Sequence, residues 1–350
     1  MPMGAARDGG RDNGEGWPAP ERPVFGALDV GTNNCRLLIA RPQGPGFRVI
    51  DAFSRIVRLG EGVGRTGQLS EAAVERTVEA LRICADKMRR RSVTRFRAVA
   101  TEACRRAMNG ADFLDRVAAE TGIRLEVITT AEEARLAVAG CLPLIDPAHA
   151  HALVFDIGGG STELMFLGLG RGAEPILIAW VSLPCGVVTL AEQWGGVEID
   201  EATYEGMVGE VRRLLAPFDA AHGISAQILA APTQMLGTSG TVTTLAGVHL
   251  GLRRYDRLRV DGLWISFADV QASIRALRDL DFEARARHPC VGRERADLVI
   301  AGCAILEAIG RTWPTERLRI ADRGVREGIL NGLIADSRPG RHPDGRRAAP

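Results

Sequence analysis

One short stretch, residues 154–166, combines residue types that could bind a phosphate group. Its sequence, VFDIGGGSTELMF, runs from an apolar strand into Asp156, three glycines and Ser161, and then into a second apolar strand with Glu163. The backbone N–H groups of Gly158–Gly160 could converge on a phosphate, because glycine lets the chain approach a ligand closely. The two carboxylates would repel a bare phosphate but suit one that carries Mg²⁺. A plain hairpin turn is the alternative interpretation.

A second turn of the same kind lies earlier in the chain. Asp29 is followed by Gly31, Thr32 and Asn33 between two apolar strands, much as Asp156 is followed by glycines between two others. Each turn opens a run of three predicted strands that is followed by helices. Two similar α/β halves would then face each other across a cleft, where small ligands usually bind. This pairing favours a phosphate site over a plain turn.

Two further glycine-rich stretches indicate different structures. GVGRTG, at 62–67, matches a dinucleotide-binding pattern, but no helix opens directly after it, so we expect a loop. LGTSGTVTTLAG, at 236–247, leads into a helix predicted from Gly240, and the free N–H groups of that helix would lie beside Gly237–Ser239. This stretch reads equally well as a third phosphate-binding segment and as a well-capped helix start.

Two charged side chains lie where a pocket could use them. Arg105 follows the predicted strand FRAVAT and could bind a second phosphate, although an exposed helix arginine is the alternative. Glu132 and Glu133 open the helix predicted at 131–141, where negative charge favours the helix dipole. A carboxylate at the mouth of a phosphate cleft could instead take a proton from an attacking water. The six histidines show no metal-ligand spacing.

The composition is that of an ordinary globular protein of one or two domains. The chain has 350 residues, 46% of them hydrophobic and 25% charged, and a formal net charge of +1. We therefore expect neither DNA nor a membrane as a partner, and no signal peptide or membrane span. The seven cysteines follow no paired spacing, which is typical of reduced thiols in a cytoplasmic protein. Lys87 is the only lysine, which excludes a mechanism that needs a lysine in the pocket.

The predicted elements repeat an order of strands followed by helices. Disordered tails are expected at 1–22 and 337–350. The predicted strands are VFGALDV, CRLLIA, FRVIDAFSRIVRL, FRAVAT, RLEVIT, ALVFDI, TELMFLG, PILIAWVSL and QILAAP. The predicted helices are one capped by Ser70 and others near 111–121, 131–141, 187–194, 200–216, 240–248, 268–278, 293–311 and 325–335.

Taken together, these motifs resemble the Ppx/GppA family, the exopolyphosphatases and guanosine pentaphosphate phosphohydrolases of the actin/Hsp70/sugar-kinase superfamily. ALDVGTNNCRLLIA is similar to the first phosphate motif of that family, FDIGGGSTELMF to the second and LGTSGTVTTLAG to the third. The stretches ATEACRRAMN, ITTAEEARL, SLPCGVVTLAE, RADLVIAGCAILEAI and ADRGVREGIL resemble further family blocks in the right order. The resemblance covers about residues 25–335.

The resemblance implies an α/β fold of two RNase-H-like (actin-like ATPase) domains that flank an interdomain cleft. The N-terminal domain would span 23–138 and the C-terminal domain 139–322, with the helix 323–335 returning to the first domain. Longer family members continue into helical regions, so this chain is expected to correspond to the short, two-domain form. A homodimer is expected, as is ordinary for the family.

The resemblance also implies roles for single residues. Glu133 matches the family's catalytic base, and Arg105 matches its phosphate-binding arginine. The acidic residues associated with Mg²⁺ are Asp29, Asp156 and Glu163. The expected phosphate-binding residues are Arg105, Gly158, Gly159, Gly160, Ser161, Thr32, Asn33, Gly237, Thr238 and Ser239. Thr189 stands where many members carry arginine. This departure weakens the inference of the family's substrate for this chain.

These roles predict Mg²⁺-dependent hydrolysis of the terminal phosphoanhydride of inorganic polyphosphate. Guanosine pentaphosphate (pppGpp) is the alternative substrate, because it ends in the same terminal group. Two other classes stay open: a non-catalytic sensor of polyphosphate or guanosine polyphosphates, and a sugar-kinase-like phosphotransferase, against which the Glu-Ala-Arg block argues. The protein is expected in the cytoplasm.

Overall fold

Two β-sheets form the framework of the described chain, which comprises residues 23–44, 46–170 and 174–337 of a computed structural model. The strands of the first sheet are β1 (Phe25–Val30), β2 (Asn34–Gln43), β3 (Gly46–Ile56), β4 (Arg95–Ala100) and β5 (Glu126–Val127). Those of the second are β6 (His151–Ile157), β7 (Thr162–Gly168), β8 (Ile176–Leu183), β9 (Thr233–Thr238), β10 (Trp264–Ser266) and β11 (Arg317–Ala321). The tails predicted to be disordered lie outside the described residues, Ser337 excepted.

The two sheets share one strand order. The first is β3-β2-β1-β4-β5, with β1 to β3 antiparallel and with β4 and β5 parallel to β1. The second repeats this as β8-β7-β6-β9-β11 and adds β10 antiparallel at its far edge. Both orders are those of an RNase-H-like domain, so the predicted pair of α/β halves is confirmed.

Helices cover both sheets. In the first half of the chain they are α1 (Val63–Thr66), α2 (Glu71–Arg90), α3 (Glu102–Arg106), α4 (Gly110–Thr121) and α5 (Thr130–Cys141). In the second half they are α6 (Val187–Trp194), α7 (Glu201–His222), α8 (Ile224–Ala230), α9 (Gly240–His249), α10 (Arg257–Val260), α11 (Phe267–Arg278), α12 (Phe282–Arg287), α13 (Val299–Thr312) and α14 (Val325–Asp336). Ser70 caps α2 as predicted, its hydroxyl oxygen accepting from the Ala73 N–H at 3.3 Å.

The helices α5 and α14 lie between the two sheets. They pack on each other, and α14 also packs on β1. A Cβ added at Gly140 would lie 2.1 Å from the carbonyl oxygen of Gly324, and one at Gly328 would lie 2.1 Å from that of Leu136, so glycine is required at both positions. Apolar side chains of both helices share one buried cluster with residues of both sheets. This shared core holds the two halves side by side.

The packing of these helices bears on the domain boundaries. The predicted division after residue 138 falls inside α5, and α14 packs on the first sheet although it follows the last strand of the second. We propose that the domains divide after Cys141 and that α14 belongs with the first.

The structure corrects the strand predicted for QILAAP. Residues Ile224–Ala230 form α8, and the strand β9 follows at Thr233–Thr238. Because β9 is a central strand buried on both faces, it shows no alternation of polar and apolar residues. Its buried Gln234 breaks the apolar run, yet its amide is satisfied, accepting from the Asp146 N–H at 2.7 Å and donating to the Leu144 carbonyl at 2.9 Å.

Other predicted elements differ in extent. RLEVIT contributes only the short β5, and the helix predicted at 293–311 begins at Val299, after a single 3₁₀ turn at Arg293–Arg295. The strands β10 and β11 were not predicted, because they have three and five residues and sit between helices. The predicted loop GVGRTG contains the one-turn helix α1, flanked by the left-handed residues Gly62 (φ 77°) and Gly67 (φ 70°).

Two features bear on the predicted cellular setting. No helix of the described ranges is long and apolar enough to cross a lipid bilayer. All seven cysteines lie in these ranges, and all are buried and free of disulfide bonds.

Candidate active site

A cleft between the two sheets collects side chains from both halves. Asp29, near the end of β1, and Thr101, after β4, reach it from the first half, while Asp156, near the end of β6, and Ser239, after β9, reach it from the second. The carboxyl ends of parallel strands meet at one edge of a sheet, where α/β proteins bind ligands. Glu133 enters the same cavity from the first turn of α5, which Thr129 caps.

The two glycine-containing turns pack directly against each other in this cleft. A Cβ added at Gly159 would lie 2.9 Å from the Cβ of Thr32 and 3.1 Å from the backbone nitrogen of Asn33. One added at Gly160 would lie 2.8 Å from the Thr32 hydroxyl oxygen. None of Gly158–Gly160 has a φ in the left-handed region that favours glycine, so these glycines are needed for space. They let the two halves close on one another.

Asp29 and Asp156 occupy matching strand positions but have different cross-strand neighbours. Asp29 pairs with Arg36, whereas Asp156 pairs with Glu163. Burial raises the pKa of Asp29, and the positive charge of Arg36 opposes that rise. Burial, followed by the negative charge of Glu163, raises the pKa of Asp156 to about 7. Of these two aspartates, Asp156 therefore has the more strongly raised pKa.

Glu163 is anchored by two serines. The hydroxyls of Ser161 and Ser182 both donate to its Oε1, each at 2.7 Å, and the residue is only 2% exposed. Burial raises the pKa of Glu163, and the two hydrogen bonds oppose the rise. Ser161 was predicted to bind phosphate, but its hydroxyl proton is directed at Glu163, which leaves its lone pairs for other partners.

Glu133 and Arg105 form a largely buried ion pair. Nη1 of Arg105 donates to Oε2 of Glu133 at 2.8 Å and to the carbonyl oxygen of Ile128 at 2.8 Å. Burial raises the pKa of Glu133 well above its usual range, the negative charge of Glu163 adds to this, and Arg105 opposes it. A carboxylate with a raised pKa is the stronger base. Arg105 itself does not line the cavity.

The three residues predicted from LGTSGTVTTLAG lie in different environments. Gly237 is buried in β9, where an added Cβ would lie 2.5 Å from the ring of Phe155, and it does not reach the cleft. Thr238 donates its hydroxyl to the carbonyl oxygen of Arg323 and lines an adjoining compartment. Ser239 lines the cavity with a φ of 108°, a strained value for a residue other than glycine. Of the three, only Ser239 lines the cavity that contains Glu133 and Glu163.

Three oxygen atoms of the cavity residues are buried without a hydrogen-bond partner. They are Oδ1 of Asn33, Oδ1 of Asn34 and Oγ of Ser239. Such orphaned atoms are rare in folded proteins and mark places where a ligand, ion or water completes the site. The first residue of α9, Gly240, also lines the cavity, so free N–H groups of a helix start are available to an anion.

The oxygen atoms of the cleft fit a hard divalent cation. Asp29, Asp156 and Glu163 line one cavity, and burial raises the pKa of each, so neighbouring cations do not fully offset their charge. Carboxylate oxygens, water and phosphate oxygens are the ligands that Mg²⁺ prefers. Across the described ranges, no three His, Cys, Asp or Glu residues are arranged to hold a metal by themselves. A cation here would therefore share its ligands with substrate or water.

Three charged residues of the cavity were not predicted, namely Arg36, Glu102 and Arg295. The guanidinium groups of Arg36 and Arg295 lie 3.9 and 4.0 Å from the Cβ position of Gly240, and neither makes a hydrogen bond or ion pair within the described part of the chain. Arg36 lies seven positions after Asp29, just as Glu163 follows Asp156 (29 to 36, 156 to 163), so aligning the two turns would have pointed to it. Arg295 is distant in the sequence and carries no such signal.

The sequence of this chain matches a known protein family. The model of the Ppx/GppA phosphatase family matches residues 38–336. The chain belongs to this family. The predicted family membership is thereby confirmed.

Two curated proteins that are similar to this Ppx/GppA protein carry different names. It is 27% identical to the guanosine-5'-triphosphate,3'-diphosphate pyrophosphatase of Aeromonas salmonicida, over 90% of this chain and 60% of that protein. It is 30% identical to exopolyphosphatase 2 of Mycobacterium tuberculosis, over 88% of this chain and 97% of that protein. The chain thus spans about 60% of the length of the first relative.

A solved structure of the family shares the fold. The Ppx/GppA family member of Aquifex aeolicus is 29% identical and superposes with a TM-score of 0.73, over 90% of this chain and 99% of that one. The predicted fold class, two actin-like domains around a cleft, agrees with this likeness and with the two strand orders described above.

Proposed function

We propose that this Ppx/GppA protein is an exopolyphosphatase that hydrolyses the terminal phosphoanhydride of inorganic polyphosphate and releases orthophosphate. The observation that carries the proposal is the position of Glu133. This carboxylate, with its raised pKa, faces a cavity that also holds a glycine turn, a helix start and unpaired arginines. A base beside several anion-binding groups suits the hydrolysis of a phosphate ester or anhydride.

The space next to Glu133 supports a long anionic substrate. The cavity adjoins a second compartment of about 930 Å³, with which it shares Asp29, Arg36, Asp156 and Arg295. Seven arginines line this compartment against four acidic residues. Four of the arginines form ion pairs, and Arg36, Arg295 and Arg326 form none within the described part of the chain, so their charge is available to an anion. The seven are Arg36, Arg55, Arg257, Arg293, Arg295, Arg323 and Arg326. A polyphosphate chain, which repeats negative charge along its length, matches such a surface.

The residues of the cleft support an in-line displacement. Glu133 would accept a proton from water, whose oxygen bonds to the terminal phosphorus as the P–O bond to the rest of the chain breaks. The N–H groups of Gly159, Gly160 and Gly240, together with Arg36, would bind the oxygens of the terminal group. The N–H of Gly158, which was also predicted to bind phosphate, donates instead to the carbonyl oxygen of Ser161 at 2.9 Å. The products are orthophosphate and a chain that is one phosphate shorter. Phosphoryl transfer needs mainly positioning and charge stabilisation, which these groups supply.

Mg²⁺ is the cofactor that we propose for this reaction. Oxygen atoms of Asp29, Asp156 and Glu163 would hold it together with oxygens of the substrate and water. When bound, it supplies positive charge that offsets the charge on the leaving phosphate. Without it, the three carboxylates would repel the substrate, so EDTA is expected to abolish phosphate release.

One observation favours pppGpp as a second candidate substrate. Tyr255 lines the second compartment, the residue is 42% exposed, and its hydroxyl donates to Asp322 at 2.7 Å. An aromatic ring fixed in this way could stack on a base. The relative from Aeromonas salmonicida carries the name of an enzyme that acts on such a nucleotide.

Phosphate release from polyphosphate, pppGpp and ATP, measured side by side with Mg²⁺ and with EDTA, tests the proposal. We expect the highest kcat/KM with polyphosphate. The Glu133→Gln variant, purified in parallel, controls for contaminating phosphatases. A higher kcat/KM with pppGpp would favour the second candidate. Binding of either compound without release would overturn both and favour a sensor, and phosphate transfer from ATP to a sugar would favour a phosphotransferase.

We also propose a cytoplasmic location and a homodimer. The buried, free cysteines support a reducing compartment. The edge strand β8 supports self-association, because Ile176, Leu177 and Ile178 are exposed along it. Light scattering on the purified protein measures the mass and tests the dimer.

A further inference from the structure

The ion-pair network behind Glu133 includes Glu102, a residue to which the proposed function assigns no role. Glu102 begins α3, directly after Thr101, and lines the cavity. Nε and Nη2 of Arg105 donate to its Oε2 at 3.2 and 2.9 Å. The arginine that binds Glu133 is thus itself bound by a second carboxylate. The three side chains are 14–16% exposed, so water screens them little.

The geometry of the guanidinium group shows what the second carboxylate does. Both contacts of Arg105 on the Glu133 side, to Oε2 of Glu133 and to the Ile128 carbonyl, come from one nitrogen, Nη1. A planar group held at a single nitrogen can pivot about that atom. Glu102 contacts the opposite edge, at Nε and Nη2, and removes this rotation.

The hydrogen-bond count separates this role from direct phosphate binding. A guanidinium group has five N–H donors. Arg105 uses four of them, two on Nη1, one on Nε and one on Nη2. One N–H is left, whereas bidentate phosphate binding needs two parallel donors. While Glu102 is in place, Arg105 therefore acts on Glu133 and not as a fork for phosphate.

We propose that Glu102 is a positioning residue, which fixes Arg105 and through it the carboxylate of Glu133. The inference rests on the proposed function, because it takes Glu133 as the base. Glu102 also packs beside the glycine turn, with its Cγ 3.1 Å from the Cβ position of Gly160. Its negative charge lies next to the groups that would bind phosphate, so its removal does not weaken the binding of an anion.

This role predicts a split between kcat and KM. In Glu102→Ala, Glu133 loses its fixed orientation, and we expect kcat to fall about ten- to a hundredfold, in line with the cost of a small misplacement of a reacting group. KM for polyphosphate stays the same or falls, because one negative charge has left the cleft. Glu102→Gln keeps an oxygen that accepts from Arg105, so its kcat should lie between those of the wild type and Glu102→Ala. A residue that only supported the fold would not lower kcat while leaving KM unchanged or lower.

Glu132 offers a matched control. It neighbours Glu133 in the same helical turn and accepts from Nη2 of Arg97 at 2.6 Å, but it does not line the cavity. Like Glu102→Ala, Glu132→Ala removes one negative charge from the first turn of a helix, here α5, and it is expected to keep the wild-type kcat.

The outcomes distinguish the inference from the proposed function. If the wild type releases phosphate and Glu102→Ala matches Glu132→Ala in kcat, the positioning role is overturned and the proposed function stands. A raised KM with unchanged kcat in Glu102→Ala overturns it as well, since Glu102 would then act in substrate binding. If the wild type releases phosphate from none of the substrates, the proposed function falls first. Thermal unfolding shows whether each variant is folded, and if Glu102→Ala is not, Glu102→Gln decides by the same comparison.

Discussion

The two halves of the molecule repeat one frame and place opposite charges in it. Each half has an aspartate near the end of its first strand and a cross-strand partner seven positions later. In the first half the partner of Asp29 is Arg36, and in the second half the partner of Asp156 is Glu163. The cleft therefore has a side that contributes a cation and a side that contributes an acid pair. A duplicated backbone has become a chemically asymmetric site.

The turns that follow these aspartates differ in a complementary way. The first turn carries the side chains of Thr32 and Asn33, whereas the second consists of glycines. The side chains of the first turn occupy the space that Gly159 and Gly160 leave free. If the second turn also carried side chains, the two turns could not pack this closely.

The largest effect is expected at Glu133, where the two halves meet. Glu133→Gln keeps the size of the side chain but cannot take a proton from water, so phosphate release should fall by about 10²–10⁴-fold. The measurement is turnover of polyphosphate with Mg²⁺, with Glu132→Gln as the control. Near-normal turnover in Glu133→Gln would remove it from the role of base.

A smaller loss, of about 10–100-fold in kcat/KM, is expected when either partner of the aspartates is neutralised. Glu163→Gln removes one of the three carboxylates that would hold Mg²⁺, so the variant should need more Mg²⁺ for half-maximal activity. Arg36→Met raises the pKa of Asp29 further and removes a cation from the cleft, so KM should rise. Mg²⁺ titrations and KM values of the two variants test the asymmetry. The same response from both would contradict it.

A difference in stability is expected from Asp156→Asn. Because the pKa of Asp156 is raised from 3.8 to about 7, its contribution to stability is complete below about pH 4 and is lost as the pH rises through 7. The amide avoids that loss, so in EDTA the variant should be about 2–4 kcal/mol more stable than the wild type at pH 8 and differ little near pH 4. Urea unfolding at both pH values measures this. Asp29→Asn should gain less, since Arg36 offsets the charge, and equal gains would count against the asymmetry.

The smallest effect is expected from the contact between the two turns. In Gly159→Ala the new methyl group would overlap Thr32, so the turns must separate at a cost of about 1–3 kcal/mol. Gly209→Ala is the control, because nothing lies within 4 Å of its Cβ position in α7, and it should gain about 0.4–1 kcal/mol. Urea unfolding of both variants provides the comparison. Equal stability of Gly159→Ala and the wild type would mean that the turns do not touch.

Much of the fold was predictable from local patterns. The hairpins around both aspartates and most of the helices have apolar periodicity and caps of their own, and Ser70 and Thr129 cap α2 and α5 through their hydroxyls. The strand β9 was not predictable in this way, because it is buried on both faces and contains Gln234 and Gly237. The strand assignment of such a segment depends on its neighbours in the sheet and not on its own pattern.

The site was predictable in part, for a similar reason. Most of the predicted site residues line one cavity, namely Asp29, Thr32, Asn33, Glu133, Asp156, Gly158, Gly159, Gly160, Ser161, Glu163 and Ser239. Gly237 belongs instead to the packing around Phe155, and Arg105 is held between Glu102 and Glu133. Both residues stand in convincing motifs, but a motif does not state which way a residue faces once the chain has folded.

By itself the sequence determined the residue types, the seven-position spacing after each aspartate and the absence of lysine from the cleft, because these are properties of short segments. Only the tertiary structure decided which charges meet. Arg295 approaches the start of α9, and the second turn closes on the first, through contacts between residues far apart in the chain. The pKa of Asp156 and of Glu133 follows from that burial. Desolvation depends on the whole fold, and no local motif encodes it.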